Sequence, residues 1–305
     1  MSQSIKYFSI AAAAIFTLSC EYKKEDTIED KRINVVATTT MISDMVVQIA
    51  GDKVNLKSLM GPGVDPHLYE PIPTDAIALV EADIIFYNGL KLEGQMTSDL
   101  KNLNGIALGS VINKKLLKGD QSHPDPHIWG DAEMWSKCIP IVVSSLCEKD
   151  SKNAEFYQSS GRKLIESYKS LHQWGLERVK TVDAESRVLI TSHDAFEYFG
   201  QAYGFKVVGL QGISTATEAG ISERVKLVDF IKDNKVKAIF VESSVSPDAI
   251  KSIAEDSGVI IGGELFSDAM GEPGELGTLN GDQYDLGTYE GMIKHNINTI
   301  VEALK

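Results

Sequence analysis

From Ser151 to Lys180 the chain carries no proline and only two glycines, Gly161 and Gly175. Its apolar residues Phe156, Leu164, Ile165, Tyr168, Leu171, Trp174 and Val179 recur at an approximate helical period. So long an uninterrupted stretch reads as one helix, the core of a linker over residues 151–182. It divides the 305 residues into two parts, each the size of an ordinary domain.

Each part alternates strand and helix signals. In the first, Ile33–Thr38 is a β-branched run, Met41–Ala50 has helical spacing closed by Gly51, and Val54–Met60 is a second strand. Thr74–Glu81 reads as a helix and Asp83–Asn88 as a strand. In the second, Arg187–Thr191, Lys206–Gly209, Lys237–Glu242 and Val259–Gly262 read as strands, the last of them the final one. Between them lie helices at Asp194–Tyr203 and at Ser222–Asn234, the latter capped by Ser222, and another starts at Pro247. Glu290–Leu304 closes the chain as an amphipathic helix. This alternation predicts an α/β protein: two lobes, residues 33–150 and 183–305, each with a parallel sheet flanked by helices and joined by the long helix. A single stiff linker predicts small lobe movements rather than wide hinge closure.

Residues 1–19 fall outside this pattern. Lys6 precedes an apolar run, Tyr7–Leu18, of 12 residues, too short to span a bilayer and suited to an export signal. The run ends Thr17-Leu18-Ser19-Cys20, which resembles a bacterial lipobox with Thr17 where the pattern prefers Leu. Cys20 is then the lipidated first residue of the mature chain, and the charged residues 20–32 are a flexible tether. No later segment approaches 18 continuous apolar residues, so the expected location is the cell envelope or periplasm, with the membrane reached through the lipid alone. A net charge of −13 argues against nucleic acid as a partner. The two remaining cysteines, Cys138 and Cys147, lie in the largely helical Glu133–Glu148. Nine residues of helix separate them by about 13 Å, whereas a disulfide needs Cα atoms within about 7 Å. They are expected to be free, buried thiols.

Chemistry is concentrated in four short turns: Gly-Pro-Gly-Val-Asp-Pro-His67, Pro-Asp-Pro-His127-Ile-Trp-Gly, Thr-Ser-His193-Asp and Phe-Ser-Asp268-Ala. Intervals of 60, 66 and 75 residues are far too wide for a zinc finger and suit a site assembled between large units. Asp-Pro-His occurs twice in a chain with 9 prolines, each copy projecting an imidazole from a stiff turn. Trp129 is placed to pack beside His127. His193 and Asp268 follow strands, where ligands of open α/β sheets bind; a strand-end histidine and a loop aspartate are common, however, and their spacing alone does not single them out. His123 neighbours His127 and could meet an ion in transit. His172 and His295 sit in helices and read as structural.

These four segments, together with Gly-Ile-Ser-Thr-Ala-Thr-Glu (212–218) and Phe-Val-Glu-Ser-Ser-Val-Ser-Pro (240–247), resemble the zinc- and manganese-binding solute receptors of ABC importers, the adhesin lipoprotein family. The resemblance runs over about residues 33–305. It implies one metal held between two lobes by His67, His127, His193 and Asp268, and delivery to a membrane permease driven by a separate ATPase subunit, with the receptor a monomer. The long His/Asp-rich loop of many zinc receptors is absent; only Asp120–His123 stands in its place.

Three imidazoles and a carboxylate suit Zn²⁺ in softness and geometry. Family members that take manganese tend to carry Glu where this chain has His193, so His193 favours zinc, with Mn²⁺ the alternative. Four protein ligands leave no position for a catalytic water. The chain has no His-Glu-x-x-His, no Gly-x-Ser-x-Gly and no P-loop. A transport receptor rather than a secreted zinc hydrolase is expected, with metal binding weakened by acid as histidines of ordinary pKa, near 6.5, take up protons.

Overall fold

The computed structural model describes residues 32–279 and 281–305. The export signal, Cys20 and the tether up to residue 31 lie outside the described residues. The first half runs β1 (Ile33–Ala37), α1 (Thr40–Ala50), β2 (Val54–Ser58), α2 (Pro73–Glu81), β3 (Ile84–Tyr87), α3 (Thr97–Asn102) and β4 (Ile106–Ala107). Its strands form one parallel sheet in the order β2-β1-β3-β4, with Val35 of β1 opposite Leu56 on one side and Ile84 on the other. β1 and β3 are nearly continuous apolar runs because helices cover both faces.

Two short helices, α4 (Ala132–Ser136) and α5 (Ile139–Lys149), lead into α6 (Ala154–Val179). The second half then repeats the plan with β5 (Val188–Thr191), α7 (Glu197–Tyr203), β6 (Lys206–Gly209), α8 (Ile221–Asp233), β7 (Ala238–Glu242), α9 (Asp248–Ser257) and β8 (Ile260–Leu265). β5 pairs with β6 and β7 with β8, all parallel, and β5 lies beside β7. The spatial order is therefore β6-β5-β7-β8, the same as in the first half. An antiparallel hairpin, β9 (Leu276–Leu279) and β10 (Asp282–Asp285), and a final helix, α10 (Tyr289–Leu304), complete the chain.

The long helix α6, 26 residues and about 39 Å, is the spine on which α1, α4, α5 and α10 pack. Its two glycines mark the tightest crossings. A Cβ at Gly161 would come within 2.5 Å of Val143 on α5, and one at Gly175 within 2.6 Å of Tyr203 and 2.7 Å of Ile297. The expected apolar face is shifted by one residue at its start: Tyr157 is fully buried while Phe156 is 43% exposed. One continuous apolar core joins Val35 and Phe86 of the first sheet, Leu171 of α6, and Leu189 and Phe240 of the second. The lobes thus share a core around the spine.

Several local expectations differ from the structure. α8 begins at Ile221 after Gly220, so Ser222 lies inside the helix and does not cap it. Pro247 is the residue before α9 rather than within it. α7 starts at Glu197, because residues 193–196 form a turn. The strand read as Val259–Gly262 continues to Leu265 and is not the last, the hairpin having gone unread. Cys138 is buried, Cys147 is half-buried, and both are free.

Candidate metal centre

In the first half the strands form one sheet of order 2-1-3-4, and in the second two parallel pairs, β6-β5 and β7-β8, lie side by side in the same spatial order; the winding of the connections reverses between the first and third strands, and loops beyond their carboxyl ends diverge there to leave a crevice. In the second half those strands are β5 and β7, which deliver His193 and Glu242. In the first they are β1 and β3, which deliver Thr38 and Asn88. The crevices face each other, and the four sequence-derived candidates meet between them.

His67, His127, His193 and Asp268 each bring a ligand atom to within 4.8 Å of the others. His67 Nε2 is 3.3 Å from His127 Nε2. Asp268 Oδ1 is 3.4 Å from His127 Nε2, and Oδ2 is 3.2 Å from His193 Nε2 and 3.9 Å from His67 Nε2. The three rings are tilted or edge-on to one another, with centroids 5.3–5.9 Å apart. His127, His193 and Asp268 are buried. Among the described residues neither Asp268 oxygen, nor His193 Nε2, has a hydrogen-bond partner of good geometry. Buried polar atoms left so are rare and mark a place for an ion or water. His123 is not in this group; it is exposed and bonds Ser122 within its own turn.

The two Asp-Pro-His tripeptides build the same turn and then diverge. In each, the Asp carboxylate accepts the histidine's backbone N–H, Asp65 to His67 at 2.8 Å and Asp125 to His127 at 2.9 Å. Asp125 Oδ1 also sits 2.7 Å from His127 Nδ1, fixing the ring with Nε2 towards the centre. Asp65 instead accepts the hydroxyl of Thr215 from the opposite lobe, at 2.6 Å, and among the described residues no carboxylate pairs with the His67 Nδ1. His193 also has a carboxylate behind its ring: Glu242 Oε2 lies 2.6 Å from its Nδ1 as a close ion-pair contact, and Oε1 accepts its backbone N–H at 2.9 Å. Trp129 packs edge-on against His127 and donates its indole N–H to the carbonyl of Ser267, beside Asp268. The expected contact between Trp129 and His127 is present, and it also ties the lobes together.

The electrostatics follow this difference in support. Burial lowers the His67 pKa to about 4. Burial also acts to lower His127, but the contacts with Asp125 and Asp268 outweigh it and push it up to about 9. For His193 the same desolvation is outweighed by Glu242 and Asp268, which hold it well above its ordinary value. Burial raises Asp268, yet the facing His193 and His127 keep its carboxyl well below the usual range. The sequence-based expectation of three similar titrations near 6.5 is thereby replaced by one low and two high. Asp125, Glu242 and Thr215 had been given no role from sequence. Asp125 was legible as the first residue of Asp-Pro-His; Glu242 lies 49 positions from its partner, and although it falls in the segment 240–247 that carries the resemblance, nothing in that segment assigned it to His193.

A two-lobed α/β molecule with a buried His₃Asp cluster in its cleft has the build of a metal-binding solute receptor. Residues 35–303 match the family described as ZnuA, zinc-uptake complex component A, periplasmic, and the chain belongs to that family. It is 41% identical over 297 residues to the zinc-binding protein TroA of Treponema pallidum, covering 93% of this chain and 92% of that one. It is 39% identical over 287 residues to the manganese-binding lipoprotein MntA of Bacillus subtilis, covering 90% and 91%. The solved structure of the Treponema pallidum periplasmic zinc-binding protein superimposes with a TM-score of 0.85, at 40% identity, covering 90% of this chain and 99% of that chain.

Proposed function

We propose that this protein is an extracytoplasmic receptor that captures one divalent metal ion, Zn²⁺, through His67, His127, His193 and Asp268. It then delivers the ion to an ABC permease driven by a separate ATPase. The observation that carries the reading is the spacing of the four ligand atoms. One ligand atom from each side chain lies within 4.8 Å of the other three, close enough for all four to reach a single ion after small adjustments. Three nitrogens and one oxygen favour zinc over the harder manganese ion. A manganese receptor is the second reading, favoured by the 39% identity to a protein named for manganese binding. Hydrolysis is disfavoured because a catalytic zinc keeps a position open for water, and here four side chains crowd one point. Relatives named as lipoproteins support export and anchoring through Cys20. In this reading residues 33–150 and 183–305 are the two lobes of a monomer, with the linker at 151–182.

The test is elemental analysis of the purified protein, then competitive Zn²⁺/Mn²⁺ titration of wild type and His193→Glu. Zinc is expected to outcompete manganese on wild type, and the substitution is expected to narrow that preference. If neither ion binds wild type, the receptor reading fails. If the preference is unmoved in the variant, the assignment of zinc through His193 fails.

A further inference from the structure

The turn after β3, Asn88-Gly89-Leu90-Lys91-Leu92-Glu93-Gly94, has an unusual backbone. Gly89, Leu90, Lys91 and Gly94 all have positive φ, at 76°, 53°, 70° and 44°. Two of these residues carry side chains, which disfavour that region, so the turn needs outside support. That support is Glu93, which is fully buried. One carboxylate oxygen accepts the backbone N–H of Asn88 at 2.6 Å and the hydroxyl of Thr38, just after β1, at 2.9 Å. The other accepts the backbone N–H of Gly89 at 3.1 Å. The carboxylate thus closes its own turn and pins it to the end of the neighbouring strand.

The turn in turn carries both histidines of the first lobe. The Asn88 side chain donates to the carbonyl of Pro126 at 3.0 Å, one residue before His127. At the other end, a Cβ on Gly94 would lie 2.7 Å from the carbonyl oxygen of His67, so the backbones are in direct contact there. His67 and His127 are 60 residues apart in sequence, yet their main chains rest on one seven-residue turn.

We propose that Glu93 is a positioning residue for metal capture: through the Asn88–Gly94 turn it sets the main chains of His67 and His127 so that their Nε2 atoms face one ion. The proposal rests on the metal-receptor reading. Glu93 touches neither imidazole and acts only through the backbone they stand on. Its two oxygens both accept hydrogen bonds, a pattern glutamine cannot reproduce, because its amide nitrogen would face a backbone donor.

The test uses the full chain carrying Glu93→Gln and, separately, Asn88→Ala, which removes the link to Pro126 and leaves Glu93 in place. Three readouts are taken: Zn²⁺ affinity by chelator competition, the d–d absorption of the Co²⁺-loaded protein, and imidazole NMR shifts of the metal-free protein. Glu93→Gln is expected to weaken Zn²⁺ binding about 10-fold or more, to alter the Co²⁺ spectrum, and to move the His67 and His127 resonances while those of His123 stay fixed. Native thermal unfolding of the same sample separates this from general loss of fold. A folded Glu93→Gln protein with wild-type affinity, spectrum and imidazole shifts overturns the proposal. Should Glu93→Gln not fold, Asn88→Ala decides: a moved His127 resonance with a changed Co²⁺ spectrum supports the relay, and wild-type values refute it. Wild type failing to bind any ion would instead sink the receptor reading, while the imidazole shifts still report on positioning.

Discussion

Replacing Glu242 by Gln removes one charge and no volume from a buried site, and its effect can be worked from two contacts. Glu242 receives the His193 backbone N–H on one oxygen and faces Nδ1 with the other, 2.9 and 2.6 Å away. Gln can keep the first contact only by turning its amide donor towards Nδ1. The imidazole must then become an acceptor at Nδ1, which moves its proton to Nε2, the nitrogen aimed at the metal. The close approach of the carboxylate to Nδ1 is lost as well. The expected result is Zn²⁺ affinity lower by about 10- to 100-fold, read by competition with a chromogenic chelator. A pH dependence separates this from simple loosening. In wild type, Glu242 and Asp268 hold a proton on His193 that the metal must displace; in the variant that competing proton is held less tightly. The deficit should therefore be largest at high pH, where His193 is unprotonated in both proteins, and shrink as pH falls. A variant that stays within about twofold of wild type across the whole pH range, or a deficit that grows in acid, refutes the reasoning.

With His67 at about 4, His127 at about 9 and His193 also raised, the empty site holds two protons at neutral pH. Calorimetry in buffers of different ionisation enthalpy should find about two protons released per ion at pH 7. Thr215→Val removes the hydroxyl held by Asp65 across the cleft. A loss of about 1 kcal/mol speeds metal release about fivefold in stopped-flow chelation, and Thr215→Ser restores the wild-type rate. Asp44 is buried and its pKa is pushed up to about 6 by desolvation. A raised folded-state value means that stability declines as pH rises from about 4 through 6, so Asp44→Asn should stabilise the protein by up to about 3 kcal/mol at pH 8 and be near neutral at pH 4 in urea unfolding. Gly175→Ala forces a methyl group against Tyr203 and Ile297 and should cost about 1–3 kcal/mol of stability in the same assay.

The strands were legible because β1, β3, β5 and β7 are largely buried and so read as mostly apolar runs rich in β-branched and aromatic residues. The spine was legible because nothing breaks it. What escaped was decided by tertiary context. β9 and β10 are mostly exposed, with Leu276 at 56%, so they show no apolar run, although the Asn280-Gly281 dipeptide between them is a hairpin signal. Phe156 and Tyr157 are adjacent aromatics, and tertiary packing decides which turns inward: Tyr157 is buried with its hydroxyl on Asp150, while Phe156 lies half-exposed beside Gly51 and Lys53. In the site, His67 and His127 could be read from a repeated tripeptide, because a rigid turn is a local property. Asp268 could not, since nothing near Phe-Ser-Asp distinguishes it from other loop aspartates; the family resemblance brought it in. The partners of the ligands were hidden for the same reason: Thr215 reaches Asp65 across 150 positions, and Glu242 reaches His193 across a sheet.

The asymmetry between the two Asp-Pro-His copies bears on how a buried site can exchange a doubly charged ion at all. Moving an uncompensated charge into a region like this one is strongly unfavourable. Here the empty cluster holds its charge as protons on His127 and His193, each backed by its own carboxylate, while Asp268 stays ionised between them. An incoming M²⁺ that displaces those two protons leaves the buried charge unchanged, so the surrounding carboxylates remain neutralised to the same degree in both states. Among the described residues no carboxylate pairs with the His67 Nδ1, and the ring has no proton to lose at neutral pH, so it meets the ion as a free nitrogen donor. Its turn is the one fastened across the cleft by Thr215. A pair of proton-exchanging ligands on fixed carboxylates, joined by one neutral ligand on a latch of a single hydrogen bond, lets the ion enter and leave with little electrostatic reorganisation. That is compatible with two lobes sharing one core around α6, since the exchange asks for movement of a turn rather than of a domain.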